Sequence, residues 1–154
     1  MNPEILESLE ETREELKRAD HMLFVTLKYT RTAEVIKNII FRLINTYARG
    51  IDTLLEYALD QNKISQIPVP IQLKTNLVLE VFPSRELESH VNLYKILRMA
   101  YKADYTTREE FRRNLTLIPF ISKDLLIEIN MDNLYQYFLK AEKFIELIKE
   151  IIYG

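Results

Sequence analysis

The 154-residue chain has no cysteine and no tryptophan, and only two glycines and two histidines. Without cysteine there are no disulfides, zinc–thiolate sites, iron–sulfur clusters or thiol nucleophiles. With glycine confined to Gly50 and Gly154, no glycine-rich loop can cradle phosphates, which excludes P-loop and Rossmann-type nucleotide sites. His21 and His90 are too few for a histidine-rich metal centre. No metal, no cofactor and no catalytic residue is therefore expected. No apolar run approaches the roughly eighteen residues of a transmembrane helix, so no membrane partner is expected either. Met1-Asn2-Pro3-Glu4 is charged within a turn and resembles neither a signal nor a transit peptide, which makes the cytoplasm the expected location.

What is present is ordinary globular material: 47% apolar and 29% charged residues. The length is that of one domain over residues 1–154, enough to close a substantial core. Abundant Ile, Glu and Lys without cysteine give the chain a thermophile-like usage. The net charge is −2, but it is unevenly placed. Pro3 to Asp20 carries seven acids against Arg13, Lys17 and Arg18. From Lys28 to Arg49 the balance reverses, and Lys95 to Arg113 is basic again. Such asymmetry marks either an anionic partner or acidic and basic helix faces packed near one another.

Hydrophobic spacing predicts a mainly α chain: an antiparallel up-and-down bundle of about five helices, two of them long. Pro3 and the acids behind it suit a helix start. The stripe Ile5, Leu9, Leu16, Ala19, Leu23, interrupted by Thr12, then runs to about Lys28. Val35 to Ala58 forms a broad second stripe with Gly50 in its middle, and threonines near Thr32 are placed to cap it. Pro68 and Pro70 force an extended connection, after which a shorter helix spans about Ile71 to Phe82. Ser84 is placed to cap a helix to about Ala103. Thr107-Arg108-Glu109-Glu110 has the form of a capping box opening a short helix. The β-rich runs Leu115–Ile121 and Leu125–Asn130 predict a small hairpin inserted near residues 115–130, with Pro119 confining the first arm to an edge or bulge; the alternative is a loop plus one helical turn. Asn130 or Asp132 then caps a closing helix with the stripe Leu134, Phe138, Ala141, Ile145, Ile148, Ile152. A second apolar line there (Tyr137, Phe144, Leu147, Ile151) makes it either central to the bundle or part of a homodimer interface.

Two constellations could carry chemistry. Arg85 and His90 have four residues between them, a spacing that on one helix face would offer an acid–base histidine and a phosphate-stabilising arginine for RNA cleavage. Glu86 and Glu88 beside them would repel RNA. The second is Tyr94-Lys-Ile-Leu-Arg98-Met-Ala-Tyr101-Lys102-Ala-Asp104-Tyr105, followed by Arg108, Arg112 and Arg113. Cations interleaved with tyrosines can hold phosphates while the rings stack on unpaired bases. The candidate nucleic-acid-binding set is therefore Arg98, Lys102, Tyr105, Arg108, Arg112 and Arg113. The structural alternative pairs Arg98 with a bundle acid and leaves the tyrosines at the core boundary with wet hydroxyls.

The helix carrying Leu97-Arg98 and ending in Asp104-Tyr105 resembles the HEPN domains of prokaryotic helical proteins. So does the closing Tyr137-Phe-Leu-Lys-Ala141-Glu-Lys-Phe-Ile145-Glu-Leu-Ile-Lys. That family tends to carry an Arg-x(4–6)-His motif followed closely by tyrosine and a closing helix of Ala-x-x-Phe-Ile type, and Thr32–Ala58 would match its long second helix. Asp104 stands where the family's histidine is expected, so only Arg98 and Tyr105 carry over. The resemblance implies a bundle that often dimerises and binds RNA or a nucleotide, or pairs with a nucleotidyltransferase, with the family's ribonuclease activity lost.

Overall fold

Apolar residues at three- and four-residue spacing set the helices, and side-chain caps set their starts. In the computed structural model, which describes residues 2–154, α1 spans Pro3–His21 with the Asn2 side chain accepting from the Glu4 N–H. A single π-helical turn, Met22–Thr26, and a last α turn, Leu27–Tyr29, carry the segment on to its expected end. The extra residue of the π turn presents Phe24 edge-on to Tyr135 and Phe138, each at 5.7 Å. Thr32 caps α2, Ala33–Asp60, by accepting from Val35 N–H. α3 spans Ile71–Val81 behind the prolines. Ser84 caps α4, Arg85–Lys102. Asn130 and Asn133 form a reciprocal capping box at the start of α5, Met131–Tyr153.

Side-chain pairs give the directions. Ser8 meets Thr53 and Glu15 meets Arg42, so α1 runs antiparallel to α2. Phe41 meets Tyr101 and Tyr47 meets His90, so α4 is antiparallel to α2 as well. α1, α2, α4 and α5 make the up-and-down bundle, with short α3 inside the α2–α4 connection. No described helix is long and apolar enough to cross a membrane.

α2 is the central element. It packs on α1, α3, α4 and α5, and more extensively on its diagonal partner α5 than α4 does on α5. Gly50 explains this. It is buried, and a Cβ there would overlap the Phe144 ring and come within 2.8 Å of Ile148 Cδ1. Its missing side chain lets α5 lie almost on the α2 backbone. Phe144 stacks on Tyr47 at 4.8 Å and on His90 at 5.2 Å. Both Phe144 and Leu147 from the second apolar line of α5 are thus buried within one chain.

The α1–α2 contact is more polar than its spacing announces. Thr12, which breaks the apolar stripe, is fully buried and donates to Ser8 O at 2.9 Å. Ser8 and Thr53 share a hydrogen bond at 2.7 Å. Glu15 is also buried, and its carboxylate is met by Arg18, by Arg42 at 3.4 Å and by Arg49 at 4.0 Å.

The hairpin is present but its partners differ from the expected ones. Thr116–Pro119 (β2) pairs antiparallel with Tyr105–Arg108 (β1), in the register Tyr105↔Pro119 to Arg108↔Thr116. The segment expected as the second arm touches β2 only at Leu117↔Ile129, where each N–H donates to the other's carbonyl at 2.8 Å. The capping-box reading of Thr107–Glu110 therefore fails. Thr106 and Thr107 are β-branched and enter the ladder, and the chain after Arg108 turns without a helix. Glu109 and Phe111 hold positive φ, 54° and 68°, in that turn. The Phe111 N–H donates to Arg31 O at 2.8 Å, tying the turn to the entrance of α2.

Gly50→Ala should destabilise the fold by about 1–3 kcal/mol, the cost of overpacking, against the ordinary helix-propensity gain of alanine. Urea denaturation reads this directly, and an equal or higher midpoint would show that α5 is not held against Gly50.

Candidate nucleic-acid interface

α3 covers only part of the seam between α2 and α4. Its eleven residues span about 16 Å, against about 42 Å for α2. It closes the end near Gly50, where Lys74 Nζ donates to Asp52 at 2.8 Å and Thr75 is buried. The other end is open, and aromatic rings and cations gather there. Phe41 on α2 packs against Tyr101 on α4 at 5.6 Å and a 33° tilt. Lys37, one turn before Phe41, holds its ammonium 5.0 Å from the Tyr101 ring and 5.1 Å from the Tyr105 ring. The Arg42 guanidinium lies 5.6 Å from the Phe41 ring. Phe41 and Tyr105 keep 38% and 41% of their surface exposed.

Of the residues expected from sequence, three belong to this seam or its margin. Arg98 is half-buried with its guanidinium 5.7 Å from the Tyr94 ring. Lys102 is exposed in the last turn of α4. Tyr105 opens β1 just beyond the helix. Arg108 is placed otherwise: it makes a two-bond pair with Glu128 at 2.7 and 2.9 Å, and each partner raises the charged form of the other. Arg112 and Arg113 sit exposed in the strained turn. β1 carries the chain about 10 Å from Tyr105 to Arg108, so Arg108 and Arg113 border a separate depression together with Glu109 and Asp132. The basic stretch thus divides into a seam group and a turn group.

Lys37 and Phe41 were not among the expected residues. Their signal is visible afterwards: Phe41 is a large apolar residue that falls off the buried stripe of α2, beside Arg42 and one turn from Lys37. Among the described residues no carboxylate lies within 4.0 Å of Lys37, Arg98 or Lys102. Lys37 and Arg98 rest on aromatic rings, whereas Arg42 is already paired with Glu15 at 3.4 Å.

Arg85 and His90 do not share an open face. Five residues on a helix turn about 140°, and the structure leaves Arg85 in solvent while His90 is only 2% exposed. His90 belongs to the core stack, with Nδ1 and the Tyr47 hydroxyl sharing a hydrogen bond at 3.3 Å. Burial drives the Tyr47 phenol upward. Among the described residues no group of three histidine or acidic side chains is placed to hold a metal ion. Comparison with protein-family models, with curated proteins and with solved structures yields no match.

Burial first, then the charges of Lys140 and Lys143, pushes His90 down from 6.5 to about 4. The fold therefore holds neutral imidazole. Between pH 6.5 and about 4 the unfolded chain takes up a proton that the folded chain refuses, so stability falls as pH falls and is level above 6.5. The full effect is about 3 kcal/mol. Urea midpoints across this range should fall more steeply for the wild type than for His90→Phe, and parallel curves would remove His90 as the cause.

Proposed function

We propose that the chain is a non-catalytic cytoplasmic binding module for RNA or a nucleotide, and that the open α2–α4 seam is its contact surface. The observation that carries this reading is the Lys37 ammonium held between the Tyr101 and Tyr105 rings, with Phe41 extending the row. Exposed rings offer faces for unpaired bases, and ring-held cations without carboxylate partners offer charge to phosphates. The acting residues are then Lys37, Phe41, Arg98, Tyr101, Lys102 and Tyr105. Arg108 drops out because Glu128 neutralises it, and Arg112 and Arg113 belong to the separate turn beside Glu109 and Glu110. The HEPN resemblance enters only through Arg98 and Tyr105.

A homodimer through α5 has less motive once Phe144 and Leu147 are buried within one chain. A ribonuclease role for Arg85 and His90 conflicts with the burial of the histidine.

Fluorescence anisotropy with a labelled single-stranded RNA tests the reading. Three phosphate-facing cations give a log–log salt slope of about −2, hence about twentyfold weaker binding at 200 than at 50 mM salt. Phe41→Ala and Tyr105→Ala should each weaken binding by about 1–3 kcal/mol, roughly five- to hundredfold. The double change Arg112→Ala with Arg113→Ala should leave it within about twofold, in keeping with their place in the separate turn. No binding at low salt, or binding indifferent to the ring removals, would sink the proposal.

A further inference from the structure

The close approach of α5 to α2 draws α5 away from α4. These two helices diverge and leave an open groove of about 1070 Å³, at the upper end of the sizes ligand sites occupy. The groove is divided along its length. At one end Lys140 Nζ donates to Ser89 Oγ across the gap, Lys143 stands one turn further along α5, and the edge of His90 forms the floor. At the other end the walls are Leu93 and Ile96 from α4 and Tyr137 and Leu139 from α5. Leu93 is part of the main core, Tyr137 and Leu139 are half-buried against it, and Ile96 is half-buried.

The charges at the polar end favour an anion. Neither Lys140 nor Lys143 has a carboxylate within 4.0 Å among the described residues. Both press positive potential on His90. Glu86, Glu142 and Glu146 line the groove as well, the last two shared with the crevice toward α1, and Glu146 is paired with Lys149 at 3.0 Å. Two point-charge lysines without an arginine fork, bordered by carboxylates, suit a monoanion better than a phosphate dianion.

We propose that the α4–α5 groove binds an amphiphilic carboxylate, an alkyl or aryl acid whose carboxylate sits at Ser89, Lys140 and Lys143 and whose apolar body lies along Leu93, Ile96 and Tyr137. The hydroxyl and the two ammonium groups supply donors to the carboxylate oxygens. The apolar walls supply the area that a small polar anion could not use. The negative charge arriving beside the imidazole favours its protonated form.

Isothermal titration of the full chain with decanoate, decanol and inorganic phosphate tests this. Decanoate should bind saturably, with decanol and phosphate each at least tenfold weaker. Lys140→Met with Lys143→Met should weaken decanoate at least tenfold, and Ile96→Asn several-fold. The His90 ring resonances, followed by NMR against pH, should titrate about one pH unit higher with decanoate bound. That readout also reports whether the variants keep the core stack. Decanol binding as tightly as decanoate, phosphate binding better than it, or decanoate binding untouched by loss of both lysines would overturn the proposal.

Discussion

The contact between the Phe144 ring and the bare backbone at Gly50 organises the rest of this bundle. In a square arrangement of four helices the diagonal pairs stand apart. Here one diagonal pair, α2 and α5, is drawn together because nothing projects from Gly50 to hold it off. α2 then becomes a helix surrounded on several sides, and its buried residues continue from Ala33 to Ala58. Tyr47, His90, Phe144 and Tyr94 fill the centre as rings at 4.8–6.2 Å. A histidine placed there is neutral because an imidazolium would lose its water without a carboxylate in return.

The same displacement opens the molecule on its α4 side. α4 keeps its contact with α2 but parts from α5, which creates the groove with Ser89 and Lys140 at its polar end. On the opposite flank of α4, short α3 leaves half of the α2–α4 seam uncovered. Both open features follow from helix lengths and from one close approach, and neither needs a special loop. The hairpin completes the seam. Its turn is held to Arg31 at the entrance of α2, and β1 begins at the end of α4, so Tyr105 is carried to Lys37. Two residues at positive φ, one of them an aromatic 74% exposed, are the local cost of that short strap.

Charge in this protein is used in two ways. Around Glu15 three arginines satisfy one buried carboxylate between α1 and α2. Such a network gives little net stability but penalises any register that leaves the acid unpaired. Arg108 is likewise consumed by Glu128. At the seam Lys37 and Arg98 rest on aromatic faces with no carboxylate within 4.0 Å among the described residues. Which cations meet a carboxylate and which meet a ring is not recorded in the linear sequence.

Local chemistry announced the helices, their caps at Thr32, Ser84 and Asn130, the buried stripes and a hairpin in the right region, because these depend on residues within one or two turns. It named Arg98, Lys102 and Tyr105, since all three lie in one continuous stretch. It missed Lys37 and Phe41, which join them only when α2 packs antiparallel to α4. It paired β2 with the wrong segment, because Thr106 and Thr107 satisfy a helix-start pattern equally well until a long-range strand partner is available. It showed Gly50 only as a residue in the middle of a helical stripe and took Arg85 with His90 as a pair. The sequence by itself determined a mainly helical chain with a basic, tyrosine-bearing stretch. Only the tertiary structure decided which cations are paired, where His90 points and what Gly50 is for, because each depends on a side chain twenty or more residues away.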